Sequence, residues 1–168
     1  MIRFPAKLVL IGLLGPILGF ADGFAEDNKA CSLATPAELE SVLGSKVAAL
    51  RGSSMPGSDA QICAASTPQA QVMLRLARRK EGSEGKEAKG VLIAKQMGAQ
   101  VDVKTFGPIT CSTFIPPENM QARAGYNTTC TVKKGDMVAG VEITAKSRSA
   151  MVPIDKLRPL AEKMAARF

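Results

Sequence analysis

Between Met137 and Lys146 the chain alternates cleanly, with Ala139, Val141, Ile143 and Ala145 on one side and Glu142, Thr144 and Lys146 on the other. A period of two is that of a β-strand with one covered face and one wet face. The same reading puts a strand over residues 109–115, where Ile109, Cys111, Thr113 and Ile115 share a side. Another covers 126–133, grouping Tyr126, Thr128, Cys130 and Val132. Lys134, Gly135 and Asp136 form a tight hairpin turn before the 137–146 strand. Residues 101–106 alternate Val101, Val103 and Thr105 against Asp102 and Lys104, and stop at Gly107 and Pro108. Residues 61–67 and 71–79 are read as two more strands, with Ile62 and Ala64 opposed to Cys63 and Ala65, then Val72, Leu74 and Leu76 opposed to Met73, Arg75 and Ala77. A helix would also accommodate 71–79, and the preceding turn, which makes a hairpin natural, decides for the strand.

Helical signals frame these strands. Thr35 with Glu38 three residues on makes a capping box, Pro36 suits a first helical position, and Gly44 supplies a left-handed stop. Leu39, Val42 and Leu43 form its apolar stripe. At the other end Ile154, Leu157, Leu160, Ala161, Met164 and Phe168 recur at spacings of three and four, opposite Asp155, Lys156, Arg158, Glu162, Lys163 and Arg167. Pro153 suits the start of this helix, while Pro159 predicts a separate or kinked first turn and a regular helix only from about Pro159. A short helix is expected over 86–98 and a helical turn within 118–125, where Pro116 and Pro117 have broken the preceding strand. Residues 51–59 carry turn chemistry, and the Gly, Ser, Glu and Lys stretch 80–90 reads as a mobile surface loop. The sum is an α+β domain: a single antiparallel β-sheet with an N-terminal and a C-terminal helix packed on one face.

The first residues stand apart from this domain. Arg3 and Lys7 precede a nearly unbroken apolar run from Leu8 to Phe20, and small residues at Gly19 and Ala21, or Gly23 and Ala25, mark two cleavage points. That is the layout of a secretory signal peptide, and the run is shorter than the roughly 20 residues of a membrane-spanning helix. The predicted organisation is therefore a signal peptide over 1–25, cleaved after Ala21 or Ala25, and one domain over 26–168, with no stable membrane insertion after cleavage. Export changes the meaning of the four cysteines. Cys31, Cys63, Cys111 and Cys130 become two disulfides, and Cys31–Cys63 with Cys111–Cys130 is the preferred pairing because each then lies within one half of the chain. A strand pair presenting Cys111 and Cys130 on one side lets those two thiols meet, closing a loop worth roughly 3 kcal/mol of chain entropy.

Composition narrows the chemistry. The chain has no histidine, which removes the commonest general base and the serine-histidine triad. No two cysteines have zinc-knuckle or CxxC spacing, so neither a metal nor a thioredoxin-type redox site is expected, and no cofactor is implied. Ser83 and Lys86 match a Ser-x-x-Lys pattern without any companion motif. Glu38 is accounted for as a cap, and Glu81, Glu84 and Glu87 as loop solvation. A net charge of +7 points to acidic partners or surfaces rather than to a fold, and export argues against nucleic acid. Arg75, Arg78, Arg79 and Lys80 form the one basic cluster with functional promise: on a strand Arg75 and Arg79 share a face and could grip a carboxylate or phosphate. A solvated strand end accounts for the same run. Aromatic residues make up 4% of the chain, with no Trp and the single Tyr126, so stacking platforms for sugars are lacking. Asn127, Thr128 and Thr129 form a glycosylation sequon, which a Thr-rich strand explains equally well.

The segment ACSLATPAELESVLG, from Ala30 to Gly44, resembles small exported bacterial domains that open with Cys-Ser-Leu, a variable residue, then Thr-Pro-Ala-Glu and a short helix ending near Leu-Gly. These occur among lipoproteins and periplasmic proteins, largely of unassigned function, and the resemblance implies helices packed on one side of an antiparallel sheet. The chain departs from that group in lacking a lipid-accepting cysteine and in carrying Cys111 and Cys130. The expected function is that of an exported, periplasmic or secreted, non-enzymatic binding or accessory protein, whose partner is an envelope protein or a small anionic ligand. An inhibitor of an exported enzyme, presenting residues 80–90 or the turn near Pro116, and an envelope-associated enzyme are the alternatives.

Overall fold

The computed structural model describes residues 28–54, 59–79 and 84–168. The signal-peptide segment and its cleavage points lie outside the described residues, as does Lys80. The chain runs through α1 (Pro36–Leu43), β1 (Arg51–Ser54), β2 (Gln61–Ser66), β3 (Ala70–Arg78), α2 (Glu84–Gln96), β4 (Gln100–Phe106), β5 (Ile109–Ile115), α3 (Gln121–Ala124), β6 (Tyr126–Lys134), β7 (Met137–Ala145) and α4 (Ile154–Ala165). The strands form one seven-stranded sheet in the order β1-β2-β3-β7-β6-β5-β4, with every neighbouring pair antiparallel. Two meanders, β1 to β3 and β4 to β7, are thus joined where β7 inserts beside β3. Their register runs unbroken from Ala70 opposite Ala145 to Arg78 opposite Met137.

Alternation decides which face is covered. Val72, Leu74 and Leu76 of β3, Ala139, Val141 and Ile143 of β7, Thr128, Cys130 and Val132 of β6, and Ile109 and Cys111 of β5 are all buried, and the register places them on one side. One core unites these residues with Leu33, Leu39 and Val42 from the start of the chain and with Leu157, Leu160, Ala161 and Met164 of α4. Helix α4 lies against β5, β6 and β7. Its anchor is polar: the fully buried Thr128 Oγ1 donates to the Val152 carbonyl at 2.6 Å, just before the helix begins.

Both disulfides form with the expected pairing. Cys63, Leu74, Val141, Cys130 and Cys111 stand opposite one another in a single row across β2, β3, β7, β6 and β5, so the two bridges sit at the two ends of the most buried line of the sheet. The Pro108 carbonyl accepts from the Lys133 amide at 3.1 Å, which turns the even-numbered residues of β5 toward β6. Cys111 and Cys130 therefore form a non-hydrogen-bonded pair, the type with the closer Cα atoms, here 4.0 Å apart. The first bridge, with Cα atoms 5.0 Å apart, ties the turn at Cys31–Leu33 to β2.

Three expectations need correction. Residues 51–54 are a strand rather than a turn. The Asn28 side chain donates to the Ser53 and Ile62 carbonyls, both at 3.0 Å, and it lies where a Cβ on Gly52 would come within 2.7 Å of it. Residues 84–90 belong to α2 and not to a loop, since the Glu, Lys and Ala content favours a helix once a crossover from β3 to β4 has to be made. Helix α4 is continuous through Pro159. Pro159 removes the bond to the Asp155 carbonyl within the first turns, and both residues are on the exposed side of the helix. The capping box at Thr35 and Glu38, with Gly44 left-handed at φ 70°, is as expected.

Replacing Thr128 with Val keeps the shape of the buried site and leaves the Val152 carbonyl without its donor. The expected cost is about 1–3 kcal/mol. It will appear as a lower urea midpoint with an unchanged slope.

Candidate functional site

The second face of the sheet is built from the strand residues of the other parity. Cross-strand register arranges it in rows. One row is Val103, Ser112, Thr129, Glu142 and Met73, from β4 to β3; the next is Thr105, Thr110, Thr131, Gly140 and Arg75. A third holds Val101, Phe114, Asn127, Thr144 and Gln71. None of these side chains is buried. Threonine and serine fill the centre of the face because a β-branched residue packs well on a pleat while its hydroxyl can still meet water. Across the strand residues on this side from β3 to β4 the charged groups are Arg75, Glu142 and Lys133. Asn127 is fixed in place by the Thr144 hydroxyl, which donates to its Oδ1 at 2.5 Å. That bond engages the side chain on which a glycan at the sequon would have to be attached.

The basic run is spread by the same geometry. Arg75 lies on the open face opposite Ile62 and Gly140, whereas Arg78 stands opposite Met137 on the other side. The Arg79 amide donates to the Asp136 carbonyl at 2.7 Å, extending the β3 to β7 ladder by one residue and keeping Arg79 on the side of Arg75. Arg75 and Arg79 thus share a face, Arg78 points away from them, and Lys80 is outside the described residues.

A groove of about 510 Å³ separates α1 from α4, lined by Ala37, Val42, Pro159 and Leu160 together with Glu38, Asp155, Lys156 and Lys163. Its chemistry is already committed. Arg167 closes a two-pronged bond onto Glu38, Nη1 to Oε2 and Nη2 to Oε1, each at 2.7 Å, and Nη1 also donates to the Leu33 carbonyl at 2.8 Å. The Thr35 amide and hydroxyl donate to the same carboxylate, at 2.9 and 3.1 Å. Lys163 Nζ stands 3.7 Å from Oε1. The Arg167 hydrogen bonds, helped by those from Thr35 and opposed by partial burial, hold Glu38 down from the ordinary 4.5 to about 2. Sequence reasoning found the cap and missed the ion pair, because the partner lies 129 residues away.

Among the described residues no cluster of His, Cys, Asp or Glu could hold a metal ion, and no helix is long and apolar enough to cross a membrane. Ser83 lies outside the described residues. A scan against protein-family models gives no match, and no curated protein is similar to the chain at a significant level.

Glu38 sets a pH dependence whose sign follows from its low pKa. Ionised in the fold down to about 2 and protonated near 4.5 when unfolded, it stabilises the protein above pH 4.5, and that contribution fades as pH falls from 4.5 to 2. Arg167→Ala is expected to lose about 1 kcal/mol at neutral pH, the scale of a two-pronged pair screened by solvent. Its stability should also fall less steeply than the parent's between pH 4.5 and 2, read from urea midpoints.

Proposed function

We propose that this is an exported, non-enzymatic binding or accessory domain, periplasmic or secreted, which recognises a protein partner through the open face of its sheet. The observation that carries the reading is the pairing of a face that builds the core with a second face, five strands across from β3 to β4, that is rich in hydroxyl groups and has Arg75, Glu142 and Lys133 as its charged strand residues. With α1 and α4 both taken as covering the buried side, the other side remains for a partner. Export is supported by the charged and apolar start of the chain and by two disulfides at the positions that an oxidising compartment would favour.

The chemistry of the face suits a protein better than a small molecule. Small ligands are held in concave sites that bury most of their surface, and the groove described above is lined by α1 and α4 rather than by this face. Hydroxyl and amide groups interspersed with Val101, Val103, Phe114 and Met73 give adaptable hydrogen bonding beside apolar contact area. Arg75 and Arg79 at one side add a positive edge that would orient an acidic partner during encounter. The absence of histidine from the chain agrees with a binding role.

A photoreactive residue at Thr129 or Thr131 is expected to crosslink one defined envelope protein in living cells, while the same residue at Lys156 on α4 does not. Thr131→Glu should lower capture of that protein about tenfold or more, as a charge brought into an interface centre without a partner does. Crosslinks confined to the α4 position would sink the proposal. Should the captured protein be a hydrolase whose activity falls on binding, the accessory role becomes an inhibitory one.

A further inference from the structure

The two edges of the sheet are not alike. β1 is four residues long, and the Asn28 side chain is laid against it, donating to the Ser53 carbonyl. β4 has seven residues, and Asp102, Val103, Lys104 and Thr105 are all exposed, with Val103 at 44%. Among the described residues no further strand pairs with β4 beyond β5. An uncovered edge presents a row of amide and carbonyl groups to whatever strand can pair with it.

Which groups face outward follows from the ladder. Even-numbered residues of β5 turn toward β6, as the bond from the Lys133 amide to the Pro108 carbonyl shows, so odd-numbered ones turn toward β4. Ile109, Cys111, Thr113 and Ile115 therefore bond Phe106, Lys104, Asp102 and Gln100. The amides and carbonyls of Val101, Val103 and Thr105 consequently point away from the sheet.

We propose that β4 pairs with β4 of a second copy of this chain, antiparallel about a two-fold axis at Val103. This is the register in which an outward-facing residue meets itself and the charges also match. Val103 exchanges both backbone hydrogen bonds with its counterpart, and Val101 faces Thr105 across the axis. Asp102 then stands directly opposite Lys104, twice by symmetry. Centring on Asp102 or Lys104 instead sets like charges against each other and turns the wrong backbone groups outward. Centring on Val101 or Thr105 keeps the backbone groups but leaves Asp102 and Lys104 without each other. Charges on an edge strand ordinarily discourage pairing; here their opposite signs two residues apart exclude the other registers and favour this one. Helix α2 lies beside β4 and exposes Leu92 and Ile93, with Met97 exposed just beyond its end, apolar surface near the edge that a second copy could cover. Joining the edges makes one continuous sheet twice as wide and doubles the open face.

Sedimentation equilibrium of the purified, disulfide-bonded protein tests this. A monomer–dimer equilibrium is expected, and single reversals D102K and K104D should each raise its Kd roughly tenfold or more. The double swap D102K/K104D restores the opposite pairing and should bring Kd back to within about threefold of the parent. Val103→Pro removes an outward amide without touching the bonds to β5 and should abolish the dimer. In hydrogen exchange the amides of Val101, Val103 and Thr105 should slow as concentration rises, while those of Gln100, Asp102 and Lys104 do not change. A monomer at every concentration up to about 1 mM overturns the proposal. So does a dimer that ignores the single reversals, or one that the double swap fails to restore. None of these readouts involves the partner of the open face, so the two proposals stand or fall separately.

Discussion

The pairing of β3 with β7 is the constraint on which the rest of this structure depends. Each disulfide lies within one meander or its approach: Cys31–Cys63 in the first part of the chain, Cys111–Cys130 in the second. Neither joins the halves. That task falls to the ladder from Ala70 opposite Ala145 to Arg78 opposite Met137, and to the core that forms beneath it. Val72 meets Ile143, Leu74 meets Val141 and Leu76 meets Ala139, so the contacts that merge the two halves are also the ones most thoroughly withdrawn from water. Slipping this register by one residue would turn those side chains onto the wet face, so burial and pairing enforce each other. Smaller ties reinforce the seam. The Lys146 amide donates to the Gln69 carbonyl at 2.9 Å, and Arg167 reaches back across the whole chain to Glu38 and Leu33.

The row Cys63, Leu74, Val141, Cys130 and Cys111 shows how covalent and non-covalent restraints divide the work. Each bridge narrows the unfolded ensemble of its own half, which leaves the long-range pairing of β3 and β7 less entropy to overcome. Because those strands are separated by about half of the domain, their closure is the step that local structure helps least.

Much of this was legible in the residues, for reasons that can be named. Strands β3, β5, β6 and β7 were readable because one face is buried and the other is not, and only that asymmetry writes a period of two into a sequence. Cys111 and Cys130 could be paired because they fall on the same parity of adjacent strands. Helix α1 announced itself through Thr35, Pro36, Glu38 and Gly44, each satisfying a backbone group or a dihedral at a helix end. β1 was not legible, since Arg-Gly-Ser-Ser has no alternation and is held as a strand by Asn28 and by pairing with β2. Helix α2 was half hidden for the opposite reason: it buries little, so no apolar stripe was needed to place it. The candidate site was the least visible part. A basic run drew attention to Arg75, Arg78, Arg79 and Lys80, yet strand alternation separates Arg78 from its neighbours. The open face is assembled from five strands, and a row across a sheet leaves no signature along a chain.

That face also explains where the charge of the protein resides. Helix α4 carries Asp155, Lys156, Arg158, Glu162 and Lys163 away from the core, with Arg167 just beyond its end, and α2 and the turns carry many of the rest. Arg158 is held over the Phe106 ring, 4.8 Å from its centre, so even one of these outward charges is spent on tying α4 to the end of β4. Lys134 is drawn toward the carbonyls of Ala165 and Phe168 at the opposite end of the same helix. Charges that fasten the helix layer are not available for recognition, and those on the sheet are too few to dominate it. The β3 to β7 ladder holds the rows of that face in register from beneath, and the two sulfur bridges pin the same line of residues on the core side.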